Sequence, residues 1–112
     1  MTVTARPPRR HTGERTSFDR QELNTILGLY GRMVAEGEWR DYAIDFCRDK
    51  AVFSVFRRTS EMPLFRIEKH ARLARRQGAY SVIAPGGRIV RRGHDLTQVL
   101  KVLMRQPRLV GA

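Results

Sequence analysis

The sequence predicts an α+β domain with an N-terminal helix, a mainly antiparallel sheet of about five short strands built from hairpins, and a C-terminal helix. Three observations carry this expectation. Apolar residues recur at helical spacing near both ends of the 112-residue chain and alternate at strand spacing between them. The alternating stretches are also separated by short turn sequences and not by crossover helices.

Residues 1–16 combine Arg6, Pro7, Pro8, Arg9, Arg10, Thr12 and Gly13 with almost nothing to bury, which reads as a disordered basic arm. From Phe18 the pattern changes. Asp19 followed by Glu22 has the spacing of a capping box, with Phe18 and Leu23 as the apolar pair that sets the entry angle. A helix over about 20–35 follows, with Leu23, Ile26, Leu27, Tyr30 and Val34 as its apolar stripe and Gly37 as a left-handed cap.

Tyr42, Ile44 and Phe46 then alternate with Asp41, Ala43 and Asp45, and the polar residues 47–50 separate them from the apolar run 51–56. This is a hairpin whose four-residue loop sets Phe46 against Ala51, Ile44 against Phe53 and Tyr42 against Val55. A third strand over 64–69 has a register ambiguous by one residue, and 70–78 reads as a basic loop. Residues 80–84 and 88–91 flank Pro85, Gly86 and Gly87, whose glycine pair suits a tight turn, so a second hairpin is expected. Asp95, with Gln98 three residues on, caps a last helix carrying Leu96, Val99, Leu100 and Leu103, and Pro107 follows its end. The expected core is Leu23, Ile26, Leu27, Ile44, Phe53, Val55, Leu96, Val99, Leu100 and Leu103. The division is therefore an arm over 1–16, one domain over 17–106 and a short tail over 107–112, a size that buries a core without disulfide or metal staples.

Cys47 is the only cysteine, which excludes an internal disulfide and a thiolate metal cluster and fits a reducing cytoplasm. No apolar segment approaches the roughly 20 residues of a membrane span, and neither helix joins a basic face to interfacial aromatics.

The 22 basic residues are unevenly placed. Residues 19–56 carry five basic against seven acidic residues, a net of −2, whereas 57–112 carry thirteen basic against three acidic, a net of +10. Charge of one sign over half a small domain concentrates polyanions around it. The candidate polyanion-binding set is Arg57, Arg58, Arg72, Arg75, Arg76, Arg88, Arg91 and Arg92, because guanidinium groups grip phosphates bidentately and stay charged. Trp39 and Phe56, together with Asp41 and Val52, are expected on the sheet face opposite the core, near Arg58, as stacking or interface residues.

His70 and His94 lie at no zinc-ligand spacing, no serine sits in a nucleophile motif, and Gly86–Gly87 precedes no helix N-terminus. No matched acid, base and nucleophile argue for an enzyme, and no cofactor motif is present.

The runs YGRMV (30–34), GEWRDYAIDF (37–46), AVFSVFRR (51–58), RIEK (66–69), ARRQGAYS (74–81) and RGHDL (92–96) resemble an uncharacterised family of short bacterial proteins classed as a domain of unknown function. The similarity covers about 18–103 and leaves the arm outside it. It implies kinship but no activity and no binding residues. The residues themselves point to a small basic binding module contacting nucleic acid, RNA or DNA, through the phosphate backbone. The alternative is a protein-interaction or regulatory module that docks an acidic partner or dimerises through the outer sheet face.

Overall fold

The computed structural model describes residues 15–58 and 62–104, so nearly all of the expected arm and the whole C-terminal tail lie outside the described residues. The elements run α1 (Arg20–Ala35), β1 (Asp41–Phe46), β2 (Ala51–Phe56), β3 (Phe65–Lys69), β4 (Tyr80–Ile83), β5 (Ile89–Gly93) and α2 (Leu96–Met104). A single 3-10 turn, Ala71–Leu73, interrupts the expected basic loop between β3 and β4. The five strands form one antiparallel meander in the order β1-β2-β3-β4-β5. The predicted α+β architecture is therefore the observed one.

Local chemistry sets both helices. Asp19 accepts from the Glu22 N–H at 2.8 Å while Glu22 Oε1 accepts from the Asp19 N–H at 2.8 Å, which closes the capping box of α1. At its other end Gly37 takes φ +78°, Gly37 N donates to Val34 O and Glu38 N to Met33 O. These two bonds are those of a glycine-terminated helix end and turn the chain back toward the sheet. Asp95 caps α2, its side chain accepting from Gln98 N at 3.3 Å.

The first hairpin has the register expected from its loop: Phe46 opposes Ala51, Ile44 opposes Phe53 and Tyr42 opposes Val55. The ambiguity in β3 resolves with Ile67 against Phe53 on one side and Val82 on the other. In β5 a bulge leaves Val90 over, since Val82 pairs Arg91 while Ile83 pairs Ile89. Opposed residues share a face, so Tyr42, Ile44, Phe53, Val55, Ile67 and Val82 line one side of the sheet, and all are buried.

The helices cover that side. Packing of α2 is against β4 and β5, and Tyr30 of α1 meets Tyr42 and Phe53 with ring centroids 4.9 and 6.2 Å away. Of the expected core, Ile26, Ile44, Phe53, Val55 and the four α2 residues are buried, while Leu23 and Leu27 are half-buried at its margin. The helix stripe is rotated from the expected one: Leu29 is buried and Val34 is 40% exposed. Anchoring by Tyr30 turns the face through Ile26, Leu29 and Met33 toward the sheet, which leaves Val34 on the far side.

Trp39 corrects the sequence reading. It is 4% exposed and packs in the core with its ring centroid 6.2 Å from Tyr30, not on the outer face. Strand alternation does not apply to it, because β1 begins only at Asp41. The turn that ends α1 holds Trp39, with Trp39 N donating to Met33 O at 3.3 Å.

A polar clamp fixes the start of α1 to the same side of the sheet. Lys69 Nζ donates to Glu22 Oε1 at 2.7 Å and to Ser17 O at 2.9 Å, and the Tyr80 hydroxyl donates to Glu22 Oε2. Lys69 and Tyr80 oppose each other on β3 and β4, so one carboxylate ties two strands to one helix end. Burial, reinforced by the bond to Glu22 and the negative charges of Glu22, Asp19 and Asp95, pushes the Tyr80 hydroxyl well above the usual tyrosine range.

Candidate polyanion-binding face

Strand register also composes the opposite face. One row across the sheet is Asp45, Val52, Glu68, Ser81 and Arg92, and the next is Ala43, Ser54, Arg66 and Ile83. Among the described residues no helix packs on this side. Glu68 is nevertheless only 4% exposed and Ser81 is fully buried.

Glu68 is enclosed by basic side chains. His70 Nε2 lies 2.8 Å from Glu68 Oε1, while Arg66 Nε and Lys50 Nζ lie 3.4 and 3.6 Å from Glu68 Oε2. The Arg66 Nε atom is buried without an aligned acceptor among the described residues, so charge and not a hydrogen bond holds it beside the carboxylate. One strand further on, Arg92 Nε donates to Ser81 Oγ at 3.2 Å and Arg92 Nη1 donates to Gln77 Oε1. That second bond joins β5 to the segment carrying Arg72, Arg75 and Arg76, all exposed.

The cations on this face thus have defined positions. Lys50 and Arg66 are permanent positive charges beside Glu68, their side chains each 40% exposed, and Arg92 stands one strand further on, while Asp41 and Asp45 lie on the same face at its β1 edge. A site of this composition attracts anions and offers them guanidinium donors whose side chains are already ordered.

The eight arginines singled out from sequence do not form one patch. Arg57, Arg58 and Arg88 lie at the end of the sheet where β2 and β4 finish, and Arg72, Arg75 and Arg76 lie at the opposite end. Strands of this length separate the two groups by about 17–20 Å. Arg57 Nη2 lies 3.7 Å from Glu38 Oε1 and Arg72 Nη2 3.6 Å from Asp49 Oδ1, exposed pairs of small energetic value. Arg91 opposes Val82 and so leans toward the helix-covered side at the sheet edge, whereas Arg92 belongs to the outer face. Phe56 does lie on the outer face, opposite Asp41 and half-buried, but its expected companion Trp39 does not.

Sequence reasoning left Lys50, Arg66 and Glu68 out of the candidate site and weighed His70 and Ser81 only as metal-ligand and nucleophile candidates. The alternation of Arg66, Glu68 and His70 was the available signal, since three polar residues two apart share one side of a strand.

Apolar exposure among the described residues is limited. Val52 and Ile83 are buried on the outer face, and the exposed large apolar residues, Val34, Met62, Ile89 and Met104, are scattered over four different segments. The described residues hold no group of three or more His, Cys, Asp or Glu placed to bind a metal, and no helix long and apolar enough to cross a membrane.

Fold and face together define a small α+β protein with one helix-covered sheet side and, among the described residues, no helix packed on the other. By sequence the chain belongs to the family described as Protein of unknown function (DUF2794), whose family model matches residues 16–100. No curated protein and no solved structure matches it.

Proposed function

We propose that this chain is a small non-enzymatic module that binds nucleic acid through the phosphate backbone in a bacterial cytoplasm. The observation that carries the reading is the placement of Lys50 and Arg66 at Glu68, with Arg92 one strand further on, on the sheet face where no described helix packs. Exposed arginines 72, 75 and 76 adjoin it through Gln77. Fixed cations in excess of the local carboxylate favour a partner with regularly spaced negative charge, and phosphate contacts alone supply affinity without base reading. Neither described helix belongs to this face, which fits weak sequence dependence.

Fluorescence anisotropy against mixed-sequence DNA and RNA across a salt series tests the reading. Binding should weaken steeply with salt, and replacing Arg75, Arg76 and Arg92 together by alanine should lower the slope of log K against log[salt] by about 2.7 on duplex DNA. Circular dichroism should show the variant folded. An acidic polypeptide such as polyglutamate should compete only weakly; if it binds more tightly than nucleic acid, the partner is an acidic protein. Absence of nucleic-acid binding at low ionic strength would sink the proposal.

A further inference from the structure

We infer that the form of nucleic acid this face takes is a duplex, held by its phosphates, and not a single strand; the inference rests on the reading above. Proteins that hold single strands without sequence preference add aromatic platforms to a basic groove, and each stacked base contributes substantially to binding. This chain has nine aromatic residues, all among those described. Phe18, Tyr30, Trp39, Tyr42 and Phe53 are buried in the core, and Phe46, Phe65 and Tyr80 pack against it. Only Phe56 lies on the outer face, half-buried opposite Asp41 beside the acidic edge strand and away from Arg92 on β5.

The cations are arranged for a surface and not for a thread. They come from the turn before β2, from β3 and from β5, and further arginines stand at both ends of the strands. The arginines at the two strand ends form separate groups about 17–20 Å apart, so the face with its two ends spans more than the roughly 12 Å width of a major groove. Backbones on both sides of a groove are therefore within its reach, whereas a lone strand would meet only one line of it. A binder confined to phosphates also gains most where phosphates are densest, and B-form duplex releases about 0.9 counterion per contact against about 0.7 for a single strand.

For four neutralised phosphates and equal affinity near 1 M salt, that difference amounts to about a tenfold preference for duplex at roughly 0.05 M salt. The test compares a DNA duplex of about two helical turns with each of its separated strands, using the whole unmodified chain in anisotropy titrations. Duplex should bind about tenfold more tightly at low salt and show the steeper salt slope. The triple variant Lys50→Gln, Arg66→Gln, Arg92→Gln should lose about 2.7 from the duplex slope; if it does not fold, Arg92→Gln alone should lose about 0.9. Equal or tighter binding of a single strand would overturn the duplex inference while leaving nucleic-acid binding in place. No binding of either form would overturn the underlying reading instead.

Discussion

Among the described glycines, Gly78 makes the closest backbone approach, to Gly93, and a single added methyl group tests it. Gly78 has φ +100°, and a Cβ placed there would lie 2.2 Å from Gly93 C and 2.3 Å from Gly93 O. Gly86, in the β4–β5 turn, has a similar φ of +90°, but a Cβ there would meet nothing within 4 Å. The two alanine substitutions therefore share the cost of an unfavourable backbone angle, about 1–3 kcal/mol, and differ in the collision. Moving backbone atoms to relieve overpacking adds about 1–3 kcal/mol at Gly78, so Gly78→Ala should cost about 2–6 kcal/mol. Urea denaturation reads both, with each variant's midpoint compared at unchanged slope. Domains of this size are stable by only about 5–15 kcal/mol, so failure of Gly78→Ala to fold is the strong form of the expected result. Equal losses at the two glycines would refute the close approach, and with it the pinning of the arginine-bearing segment 70–78 against the end of β5.

The ionisation of Tyr80 makes stability fall in alkali. Its folded-state pKa is raised by burial and by Glu22, so the unfolded chain releases the proton first as pH rises past about 10. The stabilisation is fully present below that pH and is lost above it; Tyr30, raised chiefly by burial, acts in the same direction. Thermal melts across pH 8–11 should show Tyr80→Phe losing less stability than wild type over the alkaline half, and parallel curves would contradict the buried clamp. Trp39, the single tryptophan, should emit as a buried indole and resist iodide quenching, and its emission should stay constant when nucleic acid binds. Free quenching of the native protein would restore Trp39 to the outer face.

Those residues also show what the sequence made legible. The helix ends and the first hairpin were readable because their signals are local: Asp19 and Glu22 cap one another three residues apart, and a four-residue loop leaves one sensible register. Trp39 was misplaced because strand alternation was extended two residues beyond the strand, into a turn whose path is set by Gly37 and Met33 O. Leu29 and Val34 exchanged roles for a tertiary reason. The apolar residues of α1 span more than one narrow stripe, and contact between Tyr30 and the rings of Tyr42 and Phe53 selects which part faces inward.

The basic face was only half legible, and the missing half depends on register. Charge counting finds arginines but assigns Glu68 merely as one negative charge to subtract from a basic stretch. Register turns it into the centre of the face, because pairing β3 with β2 and β4 places Glu68 between Val52 and Ser81 and brings Lys50, Arg66 and His70 onto its oxygens. A buried carboxylate is costly unless paired, so its surroundings must stay cationic for the fold to hold it. The same constraint leaves the cations in excess and partly exposed. On this face the chemistry that satisfies a buried acid also displays positive charge to an outside anion, and the structural and proposed functional roles of Arg66 and Lys50 need not compete.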